Sequence, residues 1–181
     1  MQAAVASMGT FPLQGTPGWN APAARRAVAG TGARGQPVFV DDAAFLRAQT
    51  TRRVKYTLPG PLTMVDTLFD AHYRSREKLA WAFAEILNQE ARAIEAAGID
   101  VIQFDEPAFN VYFDQVRDFG IAALERAAQG LSCKTAVHIC YGYGIKANND
   151  WKKTLGSQWR QYEQTFPLLA ASQIRQVSLE S

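Results

Sequence analysis

The stretch AAGIDVIQFDEPAF, residues 96–109, decides how the rest of the chain is read. Gly98 sits where a left-handed residue closes a helix. Ile99 to Phe104 is then a short apolar run, of the length of a buried strand, and it stops on Asp105, Glu106 and Pro107. A helix that hands over directly to a buried strand, and a strand that ends on acids, is the pattern of a parallel sheet with helices outside.

The flanks repeat it. Residues 75–97 predict a helix, with Ser75 as N-cap and Leu79, Phe83, Ile86, Leu87, Ile94 and Ala97 on one apolar stripe. Residues 112–129 predict another, stopped by Gly130. KTAVHICYGYG (134–144) is the next strand, and RVKYTLPGP (53–61) is an earlier one, stopped by Pro59, Gly60 and Pro61. PVFVDD (37–42) reads as a short β-rich piece, and DDAAFLRAQT (41–50) as a helical turn and a half. WKKTLGSQWRQYEQTF (151–166) is a third helical stretch that Pro167 ends or kinks, and IRQVSLES (174–181) is the last strand. This βα alternation indicates an α/β fold with a parallel sheet.

Composition narrows the function. The chain has 181 residues, 48% hydrophobic and 20% charged, with a net charge of +2. Basic runs at Arg52, Arg53 and Lys55 and at Arg74, Arg76 and Lys78 read as solvated faces, so no nucleic-acid partner is expected. Apolar runs fall short of the roughly 20 residues of a membrane span. Cys133 and Cys140, on one extended strand, would stand roughly 23 Å apart. That is beyond the reach of a disulfide and fits a reducing, cytoplasmic setting. Residues 1–34 hold no Asp or Glu and are rich in Ala, Gly, Pro and Arg, which predicts a flexible or non-native lead-in to a folded unit at 35–181.

Polar residues gather where strands end: Asp105 and Glu106, His138 and Cys140, and Glu180. Alternation puts His138 and Cys140 on one face of their strand, Val137 and Ile139 on the other. A His, a Cys and a Glu at neighbouring strand ends suit Zn²⁺. An H-x-C pair is equally what a hydrogen-bonded buried histidine beside an inert cysteine looks like. Cys133, at the far end of the strand and of opposite parity, reads as a packing residue. A zinc with three protein ligands would activate either a water or a substrate thiol.

LPGPLTM (58–64), AAGIDVIQFDEPAF, VHICY (137–141) and VSLES (177–181) together resemble the C-terminal catalytic barrel of cobalamin-independent methionine synthase. The resemblance covers roughly residues 35–181. It implies a (β/α)8 barrel and methyl transfer to the thiol of homocysteine, as in the 5-methyltetrahydropteroyltriglutamate–homocysteine S-methyltransferases. It assigns zinc to His138, Cys140 and Glu180, and the homocysteine amino group to Asp105. Three departures accompany it. The family's fourth zinc ligand, its proton-donating histidine and its last strands would lie beyond Ser181. Its first strands are missing or replaced by residues 1–34. About four of eight βα units of a TIM barrel are therefore expected, a fragment inactive by itself. Finally, Thr67 and Val111 stand where the folate-using enzymes carry a tryptophan and a glutamate. The methyl donor is thus either methyl-folate or, as in short stand-alone relatives, a methylated corrinoid protein. The alternatives are a corrinoid-linked thiol methyltransferase of the uroporphyrinogen-decarboxylase-like superfamily and a truncated, non-catalytic remnant.

Overall fold

In the computed structural model, residues 13–14, 27–141, 146–157 and 159–180 are described, with backbone alone at 13, 14, 27 and 146–149. Four parallel strands form the central sheet: β3 (Lys55–Pro59), β5 (Val101–Asp105), β6 (Lys134–Ile139) and β7 (Gln176–Leu179), adjacent in that order. A smaller sheet joins β1 (Leu13–Gln14), β2 (Ala27–Val28) and β4 (Phe69–Asp70). This is the partial barrel expected, its parallel strands joined by helical crossovers.

Of the segment expected to be a lead-in, residues 1–12 and 15–26 lie outside the described residues. Its last part packs: Val28 is fully buried, and the Arg34 guanidinium lies 2.8 Å from the Glu90 carboxylate.

The helices follow from local chemistry. α1 (Val40–Ala48) begins inside the piece read as β-rich, and no strand forms there. The reason lies far off in sequence. Glu90 accepts the Val38 and Phe39 N–H groups at 2.9 and 2.8 Å, so these donors never reach a sheet. Asp41 and Asp42 then favour the first helical turn. α2 (Pro61–Thr67) starts on Pro61, where a missing N–H costs nothing. α3 (Arg76–Ala96) matches its predicted span. Ser75 Oγ caps it by accepting from the Lys78 N–H at 3.3 Å, and Gly98 closes it at φ +93°. Its apolar stripe is buried, with Leu79, Leu87 and Ile94 at 0% exposure. Each such side chain contributes about 1.5–3 kcal/mol.

After a 3₁₀ turn (Pro107–Asn110), the helix predicted over 112–129 is a composite: α4 (Phe113–Gln115), a π turn (Val116–Gly120) and α5 (Ile121–Ala128). A side chain at Gly120 would bring a Cβ within 3.2 Å of the Gln115 carbonyl, so glycine permits the wide turn. The stretch 151–166 divides into α6 (Lys146–Thr154) and α7 (Gln161–Ala171), separated at Gly156, φ +73°. Pro167 does not end α7, which runs on to Ala171. Leu169, 2% exposed, anchors the turn beyond it, and that burial outweighs one lost backbone bond at an exposed position.

The core lies between α3, α5 and the outer face of the sheet, where Leu58, Ile102, Phe104, Val137 and Ile139 are all 0% exposed. At the edge strand, Val177 and Leu179 remain 42% exposed. No helix among the described residues is long and apolar enough to cross a membrane.

Neither cysteine is in a disulfide. Cys133 is half-buried, and burial first, then the Glu95 carboxylate beside it, pushes its thiol up to about 11. At pH 8 its thiolate fraction is therefore on the order of 10⁻³. Iodoacetamide at that pH is expected to alkylate Cys133 at least about tenfold more slowly than a free thiol, read by peptide mass spectrometry. Labelling at the free-thiol rate would contradict the burial.

Candidate functional site

The polar ends of the strands fall into register. Pro59, Asp105, His138 and Ser178 form one row across all four strands. Because side chains alternate, Asp105 and His138 face away from the buried Phe104 and Val137. His138 and Cys140 share a cavity of about 190 Å³ with Asp105, Thr57, Phe39 and Pro107. Three of the four predicted site residues are thus brought to one opening at the C-terminal ends of the strands.

Each has a support. His138 Nδ1 lies 3.2 Å from Ser178 Oγ, the next residue in its row. That contact leaves Nε2 as the nitrogen available to a ligand. The Cys140 carbonyl accepts from Asn110 Nδ2 at 3.0 Å, which ties the strand end to the 3₁₀ turn. Asp105 Oδ1 accepts from Gln103 Nε2 at 2.8 Å.

Glu180 directly follows β7, whose Leu179 pairs with Ile139, so it stands beside Cys140 in register. Its carboxylate does not line the cavity; it accepts the Tyr141 N–H at 2.9 Å. Among the described residues no three His, Cys, Asp or Glu side chains form a group able to hold a metal ion. The donor types therefore fit zinc and two of the donors share a cavity. A third from Glu180 would require its carboxylate to leave the Tyr141 amide.

The third carboxylate at this rim, Glu106, is structural. It is completely buried, with Oε1 accepting from the Leu62 N–H at 2.9 Å. Oε2 accepts from the Thr63 N–H at 2.8 Å and the Thr63 hydroxyl at 2.7 Å. These are the orphan donors at the start of α2. Burial pushes its carboxyl up to about 7, against the pull of those donors. The surrounding backbone is stitched as well: Gly60 N–H donates to the Asp105 carbonyl at 2.8 Å, and Glu106 N–H to the His138 carbonyl at 2.7 Å. Asp105 and His138 are thereby held by one bonded cluster.

Sequence reasoning had seen Glu106 as a rim acid, without its role, and had not seen Gln103 or Ser178. The parity rule that paired His138 with Cys140 also puts Gln103 on the face of Asp105, so that signal was present. Ser178 needed the register between β6 and β7, which no local pattern supplies.

Comparison with known proteins identifies the family. Residues 19–142 match the family described as cobalamin-independent synthase, catalytic domain. The chain belongs to that family. Methionine synthase from Thermococcus kodakarensis is 36% identical over 107 residues, 59% of this chain and 32% of that protein. The one from Sulfurisphaera tokodaii is 32% identical over 108 residues, with the same coverage. A solved structure described as a B12-independent methionine synthase from Shewanella sp. W3-18-1, in complex with selenomethionine, superposes with a TM-score of 0.84 at 67% identity. It covers 88% of this chain and 47% of that one. The chain thus spans about a third of the length of the curated relatives it matches. Within the cobalamin-independent synthase match lie Asp105, His138 and Cys140; β7 and Glu180 lie past its end.

Proposed function

We propose that this chain carries the homocysteine-binding part of a zinc-dependent methyltransferase that makes methionine. The observation carrying the proposal is that His138, Cys140 and Asp105 open onto one small cavity at the strand ends. Homocysteine offers a thiol and an ammonium on a short chain. The cavity offers an imidazole, a thiol and a carboxylate among its lining side chains. His138 through Nε2, Cys140 through its thiolate, and Glu180 once freed from Tyr141 would hold the metal. When bound, zinc would supply the charge that keeps a substrate thiol deprotonated at neutral pH.

The chain's own residues do the rest. Asp105 neutralises the ammonium and fixes the substrate's direction. Phe39 and Pro107 wall the cavity and keep water from the sulfur. In the transfer, the thiol gives up its proton to solvent, the sulfur lone pair forms the new S–CH₃ bond, and the electron pair of the broken donor–CH₃ bond stays with the donor. The donor proposed is a methylated corrinoid protein rather than a methyl-folate. Val111 is 42% exposed and aliphatic, and the Thr67 hydroxyl is spent on the Met64 carbonyl at 2.9 Å, so neither offers a pterin a flat ring or an acid. Two cysteines outside any disulfide suit a reducing, cytoplasmic setting.

Metal analysis after zinc loading and dialysis tests the proposal. The chain is expected to retain about one equivalent, and His138→Ala and Cys140→Ala to bind at least about 100-fold more weakly. Undiminished zinc in both variants would remove the metal assignment.

A further inference from the structure

Asp105 is the last link of a short chain of side chains along the open face of the sheet. Lys55 Nζ donates to Gln103 Oε1 at 2.8 Å, and Gln103 Nε2 donates to Asp105 Oδ1 at 2.8 Å. The three stand on successive levels of that face, Lys55 on β3 and the other two on β5. Gln103 is only 7% exposed, yet both ends of its amide are occupied.

We propose that Gln103 is a positioning residue that aims the Asp105 carboxylate into the cavity, its amide held between Lys55 and that carboxylate.

The direction of the chain is dictated by chemistry. A lysine ammonium only donates, so the amide oxygen must face it. That leaves the NH₂ to face Asp105, where it occupies Oδ1 and leaves Oδ2 for a ligand cation. The Asp105 carboxylate only accepts, so it demands the same amide orientation from the other end, and the two contacts reinforce each other. In the row of Gln103 the neighbours are Thr57, Ala136 and Gln176, and short Thr57 and Ala136 flank it directly. No side chain beside it in that row is long enough to substitute. A methionine at 103 would keep the length and lose the donor.

The inference rests on the reading of Asp105 as the ammonium site, and the experiment separates the two. Calorimetry would measure binding of L-methionine and of 4-(methylsulfanyl)butanoate, which lacks only the amino group, to the zinc-loaded chain. The parent is expected to favour methionine. Gln103→Met is expected to weaken methionine binding about tenfold and the desamino ligand by less than about twofold. Lys55→Met, on an exposed position, is expected to act in the same direction by about threefold. A merely structural defect would weaken both ligands alike. An unchanged ratio of the two affinities in both variants overturns the positioning role while leaving Asp105 in place. A parent that does not distinguish the two ligands overturns the ammonium site itself, and the positioning role with it.

Discussion

A chain carrying Gly60→Ala is expected to lose about 3–5 kcal/mol of stability, since it makes the tightest clash of any Cβ added at a described glycine. Backbone strain is not the cause, since Gly60 has an ordinary φ of −83°. The cause is space. A Cβ there would lie 2.3 Å from both Cγ and Cδ of Glu106 and 2.4 Å from its Oε1. Glu106 is enclosed on every side, so its carboxylate would have to leave. The Leu62 and Thr63 N–H groups and the Thr63 hydroxyl would then be buried without an acceptor, at about 1–3 kcal/mol each. Urea denaturation followed by circular dichroism measures the loss. Glu106→Ala alone should cost a similar amount, and the double variant much less than the two together, because both remove the same cluster. A Gly60→Ala loss below about 1 kcal/mol, or simple additivity, would contradict the packing described.

Glu90→Ala is expected to cost about 3–5 kcal/mol and to release the segment that leads into α1. Glu90 has 0% exposure and gathers three donors: the Val38 and Phe39 N–H groups and the Arg34 guanidinium. Removing it strands a largely buried cation and two backbone donors together. Arg34→Met should cost less, since the carboxylate keeps both backbone partners. Phe39 walls the ligand cavity, so the Glu90 variant should also bind methionine more weakly. Denaturant melts measure the stability, and trypsin cleavage after Arg47 reports release of the segment. A variant as stable and as protease-resistant as the parent would show that the segment is held by something other than Glu90.

These two clusters mark where local reading stops. The long helix was legible because Leu79, Phe83, Leu87 and Ile94 repeat on one face and Ser75 and Gly98 mark its ends. β5 was legible because a buried apolar run between a glycine and two acids leaves little else to be. PVFVDD was misread as β-rich because its residues favour strands, while the acceptor that takes its N–H groups, Glu90, is about fifty positions away. The reading of 151–166 as a single helix missed the break at Gly156 because aromatic residues at three- and four-residue steps continue across it. Tyr141 draws those aromatics inward: its ring lies 4.6 Å from Trp159 and 5.1 Å from Tyr162.

Sequence by itself determined the βα alternation, the parity that turns His138 and Cys140 to one side, and the family, because each depends on side chains close together along the chain or on motifs in a given order. Only the tertiary structure decided that Asp105 shares their cavity, that Glu180 rests on the Tyr141 amide, that Glu106 is a buried clamp and that Gln103 and Ser178 stand behind the site. Those depend on strand register and on which donors find which acceptors far along the chain, as Tyr141 and Glu180 do across 39 residues. A buried polar group must be satisfied somewhere, but nothing in its own neighbourhood says where.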